Sequence, residues 1–320
     1  MDALENGPIS DLTDEDIKNK ASDIYDQFME QIVELPCGET LCRAVKVNAR
    51  PSEVRRLSYS PKEYIVKNGR LNRSGESVFY CASHPVTSLY ECRPQVGDLF
   101  AVSAWVLTKA LRLAHLGFSM EVAQGARVKP FDIHPEETQR NRLIREWQGR
   151  VFTKAVEDGQ EDIYRLPIAL KEMAMCPREN AKPVSGVIYP SIALGLMADN
   201  VALTPTAVDD QLTLFEVHLT RIVSMGRKHL PGGMLEYRMG MHLQDVARST
   251  PDGTLVWGQK SQTRISNKES SGLESRTQPR TKKVVPVLSP NYVELCDWAT
   301  NRRVDQVRIK TGADWEVRMW

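Results

Sequence analysis

Residues 69–97 read GRLNRSGESVFYCASHPVTSLYECRPQVG. The polar opening, Asn68 to Glu76, is rich in Gly, Asn, Arg and Ser and signals a turn. Ser77 to Ala82 (SVFYCA) is a short apolar run bounded by turn signals, which predicts a buried strand. Pro85 then opens a short helix running through Ser88 to Cys92, and Pro94 and Gly97 close it. One turn–strand–helix unit therefore brings Arg70, Tyr80 and Glu91 close together. A cation beside a carboxylate and an aromatic ring suits an anionic substrate with a cationic leaving group. Each residue alone says little: an Arg in a turn usually faces solvent, a strand Tyr usually joins the core, and a helical Glu usually faces water.

Residues 12–34 have apolar positions at helical spacing from Ile17 to Ile32 and predict a helix on one apolar face, ended by Pro36 and Gly38. Thr13 and Asp16 form a weak capping box at its start. A strand is expected around Leu41 to Val47, and another over Leu99 to Leu107. Helices are expected over Pro135 to Glu157, with Leu143, Trp147, Val151 and Phe152 on one side, and over 163–175 despite Pro167. Val184 to Pro190 predicts a strand, continued by Ala198 to Leu203. Beyond 210 the chain turns β-rich, with strands expected over Leu212 to Met225, Leu235 to Val246 and Leu255 to Ile265. Residues 266–283 (SNKESSGLESRTQPRTKK) are polar linker by composition. The terminal Trp315 to Trp320 predicts a last strand. These elements divide the chain into an N-terminal helical extension (1–35), a central domain (36–210) and a β-rich region (211–320) that packs on that domain or stands apart. The fold class is mixed α/β.

Composition narrows the function. The chain has 320 residues and 41% hydrophobic content, enough for a real core. Lys plus Arg number 42 and Asp plus Glu 41, a formal net charge of +1. Such a balance supplies no global field toward nucleic acid or an anionic membrane. Arg276, Arg280, Lys282 and Lys283 lack interleaved aromatics and read as solvated linker charge. No apolar run reaches the roughly 18 residues of a membrane span. The N-terminus, MDALENGPISDLTDEDI, lacks the apolar core of a secretory signal, so a cytoplasmic protein with free thiols is expected. The six Cys form no CxxC pair and the six His are scattered, so no metal site is expected. His84 reads as a helix-start residue, and Met234, Met239 and Met241 as core filler.

The 69–97 stretch resembles the RES domain family, named for its Arg, Glu and Ser. The family pattern runs G-R-x-N-x-x-G, an apolar strand ending in Tyr, and a helix bearing A-x-x-E-x-R-P or close to it. Gly69, Arg70, Asn72, Gly75, Tyr80, Glu91, Arg93 and Pro94 fall in register with it. About a hundred residues later, Gly186-Val-Ile-Tyr189-Pro190-Ser191 and Asn200 match the family's Ser segment, and Arg43 corresponds to an Arg at the domain's start. The resemblance spans roughly 40 to 205. One departure stands out: the family often has Tyr followed by Ser or Thr and Gln, whereas Tyr164 is followed by Arg165-Leu-Pro-Ile168.

The resemblance implies a fold similar to ADP-ribosyltransferases of the diphtheria-toxin type and an enzyme that consumes NAD. NAD is then the substrate, with no tightly bound cofactor. The nicotinamide–ribose bond breaks, with phosphate or water as acceptor, and the enzyme serves as toxin of a toxin–antitoxin pair. Inorganic phosphate, a protein antitoxin and a second copy of the chain are the implied partners. Glu91 would stabilise the oxocarbenium-like ribose carbon, Arg70 and Arg43 would grip phosphate oxygens, and Tyr80 would stack on the substrate. Ser191, with Asn72 and Asn200, would hydrogen-bond the substrate. Two other readings keep the fold: a protein ADP-ribosyltransferase, and a non-catalytic binding module that has no need of all four residues Arg70, Tyr80, Glu91 and Ser191.

Overall fold

The structure is a computed structural model. It describes residues 9–25, 32–117, 139–154, 159–176, 182–193, 198–229 and 235–261, six further residues (1, 4, 7, 28, 156, 157), and the strand backbones 292–296, 306–311 and 314–319. The expected linker at 266–283, its basic cluster and Met234 lie outside the described residues.

The described strands are β1 (Ile32–Leu35), β2 (Thr40–Lys46), β3 (Phe79–Ala82), β4 (Leu99–Leu107), β5 (Leu111–His115), β6 (Gly186–Pro190), β7 (Asp199–Leu203), β8 (Leu212–His229), β9 (Leu235–Ser249), β10 (Leu255–Trp257), β11 (Tyr292–Cys296), β12 (Gln306–Thr311) and β13 (Asp314–Met319). They form one sheet in the order β1-β5-β6-β7-β3-β2-β4-β8-β9-β11-β12-β13, with β10 paired to β9. Among the described strands, only β5 and β6 run parallel. Five helices accompany it among the described residues: α1 (Asp14–Tyr25), α2 (Pro85–Glu91), α3 (Gln139–Thr153), α4 (Arg165–Met175) and α5 (Pro205–Gln211). The class is mixed α/β, as the sequence predicts.

Period-two alternation sorts the strands onto two faces. Leu41, Phe79, Cys81, Ala101, Trp105, Ile188, Val201 and Leu203 share one core. Their neighbours in sequence face the other way and pack into two separate cores. One gathers Val187, Tyr189 and Ala202 beneath α1, α3 and α4, with Ile17, Trp147, Phe152 and Leu170. The other gathers Ala44, Phe100 and Val102 beneath α2, with Val86, Leu89, Met239 and Met241. Met239 and Met241 are core filler, as expected. The candidate site lies between these two cores.

The sheet is also split there. β2 and β3 meet at a single pair, Cys42 with Ala82, whereas β2 and β4 pair over seven residues.

Three expectations change. The helix predicted over 12–34 stops at Tyr25, and residues 32–35 form β1, because the β-branched Ile32 and Val33 find a pairing edge on β5, opposite Ala114 and Leu113. Leu143 turns to solvent at 46% exposure, and the buried stripe of α3 is Ile144, Trp147 and Val151 instead. The strand predicted over 255–265 ends at Trp257, where Gly258 takes a positive φ of 82°. The capping box is present: the Asp16 amide donates to Thr13 Oγ1 (3.1 Å), and the Thr13 amide donates to Asp16 Oδ2 (2.9 Å).

The sheet continues past residue 210. β8 pairs with β4 from Leu99–Arg221 to Leu107–Leu212, with a bulge beside Ala104. The first strands after residue 210 continue the central sheet.

Candidate functional site

The 69–97 unit folds as read. Gly69 and Asn72 close a tight turn, the Gly69 amide donating to the Asn72 carbonyl at 2.9 Å. A Cβ at Gly69 would lie 2.3 Å from Asn72 Oδ1, so only glycine fits that approach. The Tyr80 hydroxyl, on β3, donates to Asn72 Oδ1 (2.8 Å) and accepts from the Leu71 amide (2.9 Å). It ties the turn to the strand.

α2 starts with His84 as N-cap, whose ring accepts from the Val86 amide at 3.2 Å, and with Pro85 in the first turn. This is the helix-start role expected of His84. Pro85 through Tyr90 are all buried, and Glu91 is the first residue of the helix to emerge. Arg93 follows with φ 48°, the one non-glycine residue with positive φ among the described residues.

Glu91 is met from the neighbouring strands. Its Oε1 accepts from Ser191 Oγ (2.5 Å) and Asn200 Nδ2 (2.7 Å). Ser191 directly follows β6, and Asn200 lies on β7 opposite Tyr189 and Ala82. The second oxygen, Oε2, has no hydrogen-bond partner among the described residues. The carboxylate is thus fixed at one oxygen and open at the other.

The two arginines are anchored through backbone carbonyls. Arg70 Nη1 donates to the Phe152 carbonyl at 2.6 Å, at the C-terminal end of α3, where carbonyls lack helical partners. Its guanidinium lies 5.4 Å from the centre of the Tyr164 ring, a cation–π distance. Burial of Trp147 and Phe152 fixes α3, and truncating Phe152 to Ala would cost about 3–5 kcal/mol. Arg43 bridges the strands where β2 and β3 part: Nη1 donates to the Tyr80 carbonyl at 2.6 Å, over the Phe79 ring at 5.2 Å. Its Nε is buried without a partner among the described residues. Burial lowers the Arg43 pKa from the ordinary guanidinium value, but a guanidinium keeps its charge at neutral pH.

These side chains converge on a cleft of about 660 Å³ lined by Arg43, Arg70, Tyr80, Glu91, Arg93 and Asn200, with Tyr90, Tyr164 and Tyr189. That volume lies within the roughly 300–1,000 Å³ of small-molecule and cofactor sites. Burial raises the Tyr80 and Tyr189 phenols, which stay protonated and present neutral rings. Burial also pushes the Cys92 thiol up to about 11 and Cys81 higher still. Neither cysteine on the cleft wall is a thiolate at neutral pH, so neither serves as nucleophile. Among the described residues no group of His, Cys, Asp or Glu could hold a metal ion. A larger cleft of about 1000 Å³ opens near Trp105 and Tyr59, and Arg43 borders it too. Its Asp209 carboxylate is engaged by the Tyr59 hydroxyl at 2.9 Å, and the Glu91 constellation lies elsewhere.

Of the residues predicted from sequence, Arg43, Arg70, Tyr80, Glu91 and Asn200 line the cleft. Two differ from expectation. Ser191 is fully buried behind Glu91 and its hydroxyl is given to that carboxylate, so it is not presented to a substrate. Asn72 does not line the cleft, because its side chain is spent on Tyr80 and the Arg73 carbonyl. Asn200 borders the cleft with its amide directed at Glu91. Sequence reasoning gave Tyr164, Tyr189 and Arg93 no role. Tyr189 was within reach of it: two residues before Ser191 and on the face of Val187, it points where the alternation of β6 sends it. Tyr164 joins through Arg70, which no local pattern announces.

Among the described residues, no helix is long and apolar enough to cross a membrane. No curated protein matches the chain. The model of one family, described as the RES domain, matches residues 41–222. That match extends past the end of the resemblance read from sequence and takes in most of β8, in agreement with the pairing of β8 on β4. It covers more than half of the chain and includes every residue that lines the cleft, and the chain belongs to the RES domain family.

Proposed function

We propose that this protein is an NAD-consuming enzyme that breaks the bond between nicotinamide and ribose, with phosphate or water as acceptor. The observation that carries the reading is the Glu91 carboxylate, fixed at Oε1 by two donors and open at Oε2, in a cleft that also holds two backbone-anchored arginines. When the bond breaks, its electron pair passes to the pyridine nitrogen and nicotinamide leaves neutral. Positive charge grows on the ribose carbon. A carboxylate held beside that carbon stabilises the transition state more than the ground state, which is the condition for catalysis.

Arg70 and Arg43 match the pyrophosphate. Each is held by a carbonyl at one nitrogen and keeps other donors for phosphate oxygens. The rings of Tyr80, Tyr164 and Tyr189 offer faces for the nicotinamide and the ribose. Ser191 and Asn200 act on the substrate through Glu91 and are positioning residues, and Asn72 positions Tyr80. The ADP-ribosyltransferase-like fold, the cytoplasmic setting, and the toxin role with its antitoxin and second subunit belong to the same reading. The fold and the toxin role rest on family membership, and the cytoplasmic setting is in keeping with cysteines that are free among the described residues.

The experiment is incubation of the purified protein with NAD, with and without phosphate, followed by mass spectrometry. Free nicotinamide with ADP-ribose, or with its 1″-phosphate ester, supports the reading. ADP-ribose mass added to a polypeptide would replace it with protein ADP-ribosylation. NAD left intact at high enzyme concentration would leave a binding module.

A further inference from the structure

The cleft has three arginines, and one differs from the other two. Arg43 and Arg70 are tied down by carbonyls of Tyr80 and Phe152. Arg93 borders the same cleft, is exposed, and its guanidinium has no hydrogen bond or ion pair among the described residues. Its backbone explains its place. The Arg93 amide donates to the Tyr90 carbonyl at 3.0 Å and the Cys92 amide to the Leu89 carbonyl at 3.0 Å, ending α2 in a left-handed residue. That conformation favours glycine and disfavours a side chain. A long cationic residue is kept where glycine is the natural choice, two positions beyond Glu91. The buried Pro94 follows and limits where the chain can go next.

An acceptor must reach the ribose carbon close to Glu91. Water does so without electrostatic cost. An anionic acceptor meets the negative charge of that carboxylate and needs a cation beside it. Arg43 and Arg70 are already assigned to the pyrophosphate. We propose that Arg93 binds the attacking acceptor, and that this acceptor is inorganic phosphate. The inference rests on the NAD-cleaving reading above and selects one of its two acceptors. In the step, an oxygen of hydrogen phosphate bonds to the ribose C1′ as the C1′–N bond breaks. The electron pair of that bond leaves on nicotinamide, and ADP-ribose 1″-phosphate forms, carrying the phosphate's own proton. No other reactant is required.

The test compares the wild type with Arg93→Gly and Arg93→Lys, measuring nicotinamide release against phosphate concentration and the ratio of phosphate ester to ADP-ribose. Glycine suits φ 48°, so Arg93→Gly removes the guanidinium without straining the turn. A thermal melt checks its fold. The expected result is a phosphate KM raised about tenfold or more by Arg93→Gly, in line with loss of a charge-assisted hydrogen bond. The NAD KM should move far less, and the products should shift toward ADP-ribose. Arg93→Lys, which keeps the charge without the fork, should restore part of the ratio. An unchanged ratio and phosphate KM in a folded Arg93→Gly protein would overturn the assignment, as would wild-type release that phosphate does not accelerate. Absence of nicotinamide release from the wild type itself would instead remove the reading on which it rests.

Discussion

Ser191 Oγ and Glu91 Oε1 lie 2.5 Å apart, although a hundred residues of chain separate them. The contact joins the end of α2 to the end of β6 across the cleft floor, and Asn200 adds a second donor from β7. Two of the three residues that give the family its name thus make a single unit, with the hydroxyl serving the carboxylate.

Removal of either donor should therefore lower turnover with little effect on binding. Ser191→Ala and Asn200→Ala should each lower kcat for nicotinamide release by about 10–100-fold, since displacement of a reacting group by an ångström costs up to that order. The NAD KM should stay within a few-fold. Steady-state kinetics decides between this and a substrate-binding Ser191, whose loss would raise KM instead.

Tyr80 separates structure from chemistry by atom. Its hydroxyl is spent on the turn and its ring borders the cleft. Tyr80→Phe leaves the Leu71 amide and Asn72 Oδ1 without that partner, which should destabilise the fold by about 1–3 kcal/mol. At the size of this chain that is a fall in melting temperature of several degrees. Because the ring remains, the NAD KM should change little. Differential scanning calorimetry and kinetics on one sample read both outcomes.

Acid should loosen the N-terminal helix. Asp14, at the start of α1, accepts from Arg165 Nε at 2.6 Å and pairs with Arg73. Burial alone would raise its carboxyl, but the hydrogen bond from Arg165 and the charges of Arg73 and Arg165 outweigh it and hold the group below 3.8. Glu172 is lowered likewise: Arg73 and Lys18 outweigh its burial. A depressed folded-state value means stability present above the ordinary carboxylate range and lost as pH falls through it. Asp14 is 45% exposed, so solvent screens the pair and the effect is modest. Asp14→Asn should lower the melting temperature by a few degrees at pH 7 and by less at pH 3. Trp147, which packs against Tyr25 of α1, gives a fluorescence signal for the same change.

The sequence carries the local unit well. Turn, strand, helix and N-cap around Arg70, Tyr80 and Glu91 are all local, and patterning plus turn chemistry places them. Where the helix after Thr13 ends is not local, because residues 32–35 are a strand only through their pairing with β5. The same holds inside the site. That Ser191 turns to Glu91, and Asn72 to Tyr80, depends on which polar groups the fold brings opposite one another. Arg93 shows the converse: its left-handed backbone comes from the end of α2, and a residue so unlike glycine gives no sequence signal of that conformation.

On the proposed reading, Glu91 stabilises the ribose cation. Glu91→Gln keeps the Oε1 acceptor for Ser191 and Asn200 and removes only the charge. The first measurement is the rate of nicotinamide release from NAD by this variant beside the wild type, both confirmed folded by thermal melts. Release by the wild type and a loss of at least about 10²-fold in kcat for Glu91→Gln are expected, the scale of one electrostatic contact to a transition state. Equal rates from the two proteins, or no release by the folded wild type, would contradict that reading.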